Sequence, residues 1–143
     1  MIDPPNDDTV PAGFARHARH SAVTDPWEPI WARRTDSAIQ LALRVGPNHC
    51  NSRGFLHGGV IAALADNAMG LSLGLALTGS SAVTVNLSVD YVGGARLGQW
   101  LQIEPRVLRS GGKLGFVDAV ITADDALVAR CNATFRIVSV NPG

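Results

Sequence analysis

Little in this chain is extreme, and each thing it lacks removes a class of function. It has no uninterrupted apolar run approaching the roughly 18 to 20 residues that a bilayer-spanning helix needs, and no basic cluster flanks its most apolar segment. No membrane role is expected. Charge of one sign is missing too: twelve Lys plus Arg balance twelve Asp plus Glu. Without a net field to draw it to nucleic acid or anionic lipid, the chain is expected to take a small ligand. Cysteine is limited to Cys50 and Cys131, which read as two separate thiols in a reducing compartment rather than a bridge. His17-x-x-His20 and His49-Cys50 are halves of metal sites with no second half at ligand spacing, so no metal is expected. There is no Walker glycine-lysine loop, Rossmann glycine fingerprint or Gly-x-Ser-x-Gly elbow, and no internal repeat or low-complexity tract.

The acidic, proline-bearing residues 1–8 lack the apolar stretch of a secretory signal, which makes a cytoplasmic location the expectation. Residues 1–26 read as a poorly patterned leader and residues 27–140 as one domain. A chain of 143 residues, 46% hydrophobic and 17% charged, can bury a core without disulfides or metal.

What is present is a clear change of period. Ile39, Leu41, Leu43 and Val45 alternate with Gln40, Ala42 and Arg44 between residues 37 and 45, the pattern of a half-buried strand. Residues 27–34 suggest a strand before it, restricted near its start by Pro26 and Pro29. Residues 59–77 are apolar on every side, as in a helix enclosed by protein. Beyond Gly79 the period returns to two, with Val83, Val85, Leu87, Val89 and Tyr91 on one side, and residues 127–137 repeat the theme. Two strands lie between, residues 100–109 and 114–122, joined through Ser110-Gly-Gly112. A turn at Asp124-Asp125 leads into the last strand, and Pro105 marks a bulge or an edge position. The expected architecture is α+β: one long helix wrapped by a curved antiparallel sheet of five or six strands.

The most informative stretch is Asn51-Ser-Arg-Gly54-Phe-Leu-His57-Gly58-Gly59, leading into that helix, which carries a single carboxylate, Asp66. Gly58 and Gly59 fall at the helix N-terminus, where free N–H donors and the helix dipole favour an anion or a developing oxyanion. Duller readings exist for each residue. Asp66 could brace a neighbouring strand, His57 could hold the turn, the glycines could serve packing, and Arg109 and Lys113 could be a solvated hairpin end.

Asn51-x-x-Gly54-x-x-His57-Gly58-Gly59, followed by Asp66 and the strand Val83-Thr-Val-Asn-Leu-Ser-Val-Asp-Tyr91, resembles the hotdog-fold acyl-CoA thioesterases of the phenylacetic-acid-degradation (PaaI-like) type. The similarity runs from about residue 37 to residue 138. The resemblance implies hydrolysis of a small aromatic or medium-chain acyl-CoA, with Asp66 as general base or nucleophile and the Gly58 amide polarising the thioester carbonyl. It implies that Asn51 and His57 orient the thioester or the water, that Thr84 helps hold that water, and that the segment from Arg109 to Lys113 meets the CoA phosphates. No cofactor is implied, coenzyme A being part of the substrate. Gly59 would also border the substrate, while Met69, Gly70 and Gly74 would either shape an acyl tunnel or pack the core. One departure stands out: many relatives carry Arg-Pro after the position of Tyr91, and this chain has Val92-Gly93-Gly94-Ala95-Arg96.

Gly58 and Asp66 are eight residues apart, hence roughly 12 Å along one helix axis, too far to act on one carbonyl. If they cooperate, Asp66 must come from a second subunit whose helix runs antiparallel, with the two-fold axis near residue 62, where Ala62 and Ala63 permit close approach. The expectation is an obligate homodimer with shared active sites, alone or as a dimer of dimers (homotetramer). Two rivals share the fold: an acyl-thioester dehydratase or hydratase, whose His-Phe-Pro-like surroundings are absent here, and a non-catalytic acyl-CoA-binding protein.

Overall fold

A computed structural model describes residues 9–140. Its element order is β1 (Ala15–Arg16), a 3-10 turn at Asp25–Trp27, β2 (Trp31–Arg34), β3 (Ile39–Arg44), a 3-10 turn at Pro47–His49, α1 (Gly58–Gly74), β4 (Ser80–Tyr91), β5 (Trp100–Gly111), β6 (Leu114–Ala123) and β7 (Ala126–Ser139). The strands form one antiparallel sheet in the order β1-β2-β3-β5-β6-β7-β4, and α1 packs on it as the expected hotdog arrangement requires. One strand more than expected is present. It is β1, whose two residues pair Ala15 with Ala32 and Arg16 with Trp31, too short a ladder to leave an alternation in the sequence.

The helix buries Val60, Ile61, Leu64, Ala65, Ala68, Met69, Ser72 and Leu73 against the sheet. Ala62, Ala63, Asp66, Asn67, Gly70 and Leu71 are only half-buried, so a helix that reads as enclosed on every side has one uncovered face in the single protomer. Ser72 ties the helix to β3: its Oγ accepts from Ile39 N–H (2.9 Å) and donates to Ala68 C=O (2.7 Å). The helix stops at Gly74, short of the expected Leu77. The following N–H groups of Leu75, Ala76 and Leu77 bond three residues back, to Ser72, Leu73 and Gly74, as tightened helix ends do.

Leu41 and Leu43 of β3 and Val45 just after it enter the main core as their alternation predicts. The opposite face is covered as well. Ala42 lies with Trp31 and Trp100 in a second small cluster, packed by Val10 and Phe14 from the leader. Phe14 meets Trp100 edge-on at 5.4 Å, and Arg33 and Arg44 lie over Phe14 and Trp100 respectively. The leader therefore supplies the cover that β3 needs to be buried on both faces. The strand expected over residues 27–34 begins only at Trp31, because Trp27 closes a 3-10 turn and two prolines precede Ile30. Pro105 sits in β5 just past the last residue paired to β3, Ile103, so its missing N–H costs no ladder bond on that side. The turn at Asp124-Asp125 has positive φ at both residues (46° and 69°), the two-residue hairpin geometry.

Candidate active site

The loop before α1 is organised by Asn51. Its Oδ1 accepts from Arg53 N–H (2.9 Å) and Phe55 N–H (3.2 Å), and its backbone carbonyl accepts from Gly54 N–H. An Asx-type turn of this kind shapes the approach to the helix and commits the side-chain oxygen to the loop. His57 then caps the helix: its Nδ1 accepts from Gly59 N–H at 2.8 Å. The neutral ring therefore carries its proton on Nε2, which is left at the surface as a donor.

Each glycine makes room for one side chain. A Cβ on Gly59 would come within 2.9 Å of the His57 ring, and one on Gly58 within 3.1 Å of Tyr91. Tyr91 was not singled out from the sequence, where it reads only as the last apolar position of a strand. In the fold its hydroxyl donates to the Gly58 carbonyl at 2.6 Å and pins the start of the helix to the end of β4. The Gly59 amide is thus spent on the cap, whereas the Gly58 amide has no partner among the described residues. No acidic residue lies in the first turn of α1. An open amide at an uncompensated helix N-terminus is a site for negative charge.

Asp66 lies two turns further along. Thr84 Oγ1 donates to its Oδ1 at 2.6 Å, a short charge-assisted bond. The other carboxylate oxygen has no partner among the described residues, and both side chains line a groove of roughly 750 Å³ on the uncovered side of α1. One fixed oxygen and one open oxygen suit a carboxylate that takes a proton from water.

The remaining candidates lie elsewhere. Met69 is fully buried, with its sulfur 4.0 Å from Cys131 Sγ, and belongs to the core rather than to the groove. Gly70 and Gly74 do line the groove. Arg109 at the end of β5 and Lys113 in the β5–β6 turn are exposed and lie outside it. After Tyr91 the chain bends so closely that a Cβ on Gly93 would sit 3.0 Å from the Leu127 carbonyl.

Both nitrogens of His49 are used in holding the loops: Nδ1 accepts from Gly46 N–H and Nε2 donates to Trp27 C=O, each at 2.8 Å. Burial lowers its pKa, opposed by the bond to Trp27. Among the described residues no group of three His, Cys, Asp or Glu side chains is placed to hold a metal, and no helix is long and apolar enough to cross a membrane. Both cysteines are free thiols, and burial pushes Cys131 up to about 11, so it stays protonated at neutral pH.

Comparison with known proteins covers the part of the chain that carries α1 and β4. The thioesterase superfamily model matches residues 53–129. A putative esterase of Pseudomonas aeruginosa is 35% identical over 131 residues, 90% of this chain and 97% of the relative. Acyl-coenzyme A thioesterase 13 of Homo sapiens is 34% identical over 90 residues, 62% of this chain and 64% of the human protein. Among solved structures, a hypothetical thioesterase protein with coenzyme A from Streptococcus pneumoniae matches with TM-score 0.72 at 23% identity, covering 79% of this chain and 91% of that one, a likeness of fold. A Bacillus halodurans protein with CoA matches with TM-score 0.69 at 28% identity, covering 77% of this chain and 74% of that one. A family match across more than half the chain, over a helix that presents an open amide at one end and a threonine-bonded carboxylate two turns on, places this protein in the thioesterase superfamily.

Proposed function

We propose that this protein is an acyl-CoA thioesterase that works as a homodimer with two shared active sites. The observation that carries the reading is the division of labour along α1: Asp66, held by Thr84 of β4, and the open Gly58 amide lie on the same helix roughly 12 Å apart. Each is half of what thioester hydrolysis requires, a base for water and a donor for the carbonyl oxygen.

β4 suggests how the halves meet. It is bonded to both, through Thr84 to Asp66 and through Tyr91 to Gly58, and it is the terminal strand of the sheet. A second copy added antiparallel along this edge, with the two-fold midway between Thr84 and Tyr91 at Leu87–Ser88, sets Thr84 of one protomer opposite Tyr91 of the other. The Asp66 half of one subunit then faces the Gly58 half of its partner, the same pairing that a two-fold near residue 62 of the helix demands. The half-buried Ala62 and Ala63 are then covered by the partner helix.

In this site the open oxygen of Asp66 takes a proton from water, and the oxygen of that water attacks the thioester carbon. The partner's Gly58 N–H, with His57 Nε2–H beside it, stabilises the oxyanion. Collapse breaks the C–S bond, the leaving sulfur takes up the proton, and free acid and CoA-SH are released. Thr84 keeps the carboxylate oriented, and Asn51 keeps the loop in shape. Arg109 and Lys113 are assigned to the CoA phosphates. The Bacillus halodurans relative holds CoA and the human relative is an acyl-coenzyme A thioesterase, which supports CoA thioesters as the substrate class.

The test is thiol release across a panel of acyl-CoAs. Asp66→Ala should lower turnover by about 10² to 10⁴ with the melting temperature retained; wild-type turnover in that variant refutes the assignment. Mixing Asp66→Ala subunits with subunits altered at Gly58 should restore part of the activity, and no recovery in verified heterodimers refutes shared sites. In a single turnover in ¹⁸O-water, label appearing in Asp66 would replace the base with a nucleophile.

A further inference from the structure

The groove that holds Asp66 and Thr84 has two unlike sides. Along α1 its floor continues from Asp66 through Gly70, Leu71 and Gly74 to Leu75. Asp66, Gly70 and Gly74 share one helix face and extend roughly 12 Å at 1.5 Å per residue. Gly74 leaves the floor open, since a Cβ there would meet nothing within 4 Å. The rest of the lining is mixed: Ile39, Ala82, Phe135 and Val140 are apolar, while a polar stretch of wall is formed by His17, Arg19 and Ser21 from the leader and Ser80 and Ser81 from the start of β4.

The charges on that wall are unequally engaged. Glu28 is held by Ile30 N–H (2.7 Å), by His20 at 3.2 Å and by Arg16 at 3.8 Å, so His20 already faces a carboxylate. Arg19 is exposed and has no hydrogen-bond or ion-pair partner among the described residues. A plain hydrocarbon chain laid in this groove would strip water from the guanidinium and the serine hydroxyls without replacing their hydrogen bonds, which is unfavourable. An acyl group with an apolar stretch for Leu71 and the glycines and an anionic group at its end buries its hydrocarbon and gives the Arg19 guanidinium a charged partner.

We infer that the leader segment around Arg19 is the specificity wall of the acyl groove, and that the favoured substrates are CoA monothioesters of dicarboxylic acids, whose acyl group carries a carboxylate. This rests on the thioesterase reading above. The groove is then a composite of the helix and of chain that precedes the family-matched region, residues 53–129.

The experiment compares kcat/KM for thiol release from adipoyl-CoA and hexanoyl-CoA, acyl groups of equal length that differ in the terminal carboxylate. The full-length wild-type protein should favour adipoyl-CoA by about tenfold or more, the worth of one charge-assisted hydrogen bond. Arg19→Gln should remove most of that ratio, and Arg19→Glu should reverse the preference, with melting temperatures unchanged because Arg19 is exposed and unpartnered. A ratio that stays within twofold of wild type in both variants overturns the inference. Equal loss on both substrates also overturns it, because the guanidinium would then be acting on the shared CoA moiety. Failure of wild-type protein to release thiol from any acyl-CoA refutes the thioesterase reading itself, so the two failures are distinguishable.

Discussion

The two edges of the sheet are built differently. At one edge β1 is two residues long, and the leader folds Phe14 and Val10 over the outer face of β2, β3 and β5, so the chain closes this side itself. At the other, β4 runs twelve residues with no strand beyond it among the described residues, and Val83 and Val85 are 54% and 57% exposed. A long apolar edge is a template for another strand, while a very short, covered edge is a stop. The candidate chemistry sits with the open edge, since Thr84 and Tyr91 of β4 hold Asp66 and Gly58. The closed edge holds the fold together and offers Arg19 to the groove.

The strongest way to break this contrast is to close the open edge. A Val83→Lys, Val85→Lys double variant should run as a monomer in light scattering, with thiol release lowered on the order of 10² or more, because each half-site would stand alone. A fully active monomer would end the shared-site reading. The reverse perturbation opens the closed side. Phe14→Ala removes the ring that packs edge-on against Trp100 and should cost about 1 to 3 kcal/mol in urea unfolding, with the dimer retained. Loss of the dimer without loss of stability would invert the roles given to the edges.

A smaller change separates positioning from chemistry. Tyr91→Phe removes only the bond to the Gly58 carbonyl, worth about 1 kcal/mol, so kcat should fall several-fold with KM nearly constant. An unchanged kcat would leave Tyr91 as packing. The last prediction concerns pH on the closed side, where His49 joins Gly46 to Trp27 and its pKa is lowered by burial below the ordinary value of 6.5. As pH falls the unfolded chain takes up the proton first, so this contribution is complete above about 6.5 and is lost as pH drops through the folded value. His17, lowered mainly by burial as well, acts in the same direction. The drop in urea midpoint between pH 7.5 and 5.5 should shrink in His49→Gln; an unaltered drop would show that His49 does not titrate on unfolding.

Much of the architecture was legible because it is local. Alternation in residues 39–45 and 83–91 marks β3 and β4, and the double glycine before an apolar run marks the start of α1, since these patterns follow from the strand and helix repeats. β1 was not legible, because two residues carry no period. The burial of Ala42 was hidden for a related reason: its cover comes from Phe14, far away in sequence. At the site, the sequence pointed to Gly58 and Asp66 but could not show that the Gly59 amide is taken up by His57, that Tyr91 braces Gly58, or that Met69 turns inward to Cys131.

By itself, then, the sequence determined which segments become helix and strand, which single carboxylate the helix carries, and how far that carboxylate lies from the helix start. Only the tertiary structure decided that Asp66 receives Thr84, that β4 ends the sheet, and that the leader walls the groove. The physical reason is that backbone periodicity sets the face on which a side chain emerges, whereas its neighbour there is chosen by packing between segments dozens of residues apart.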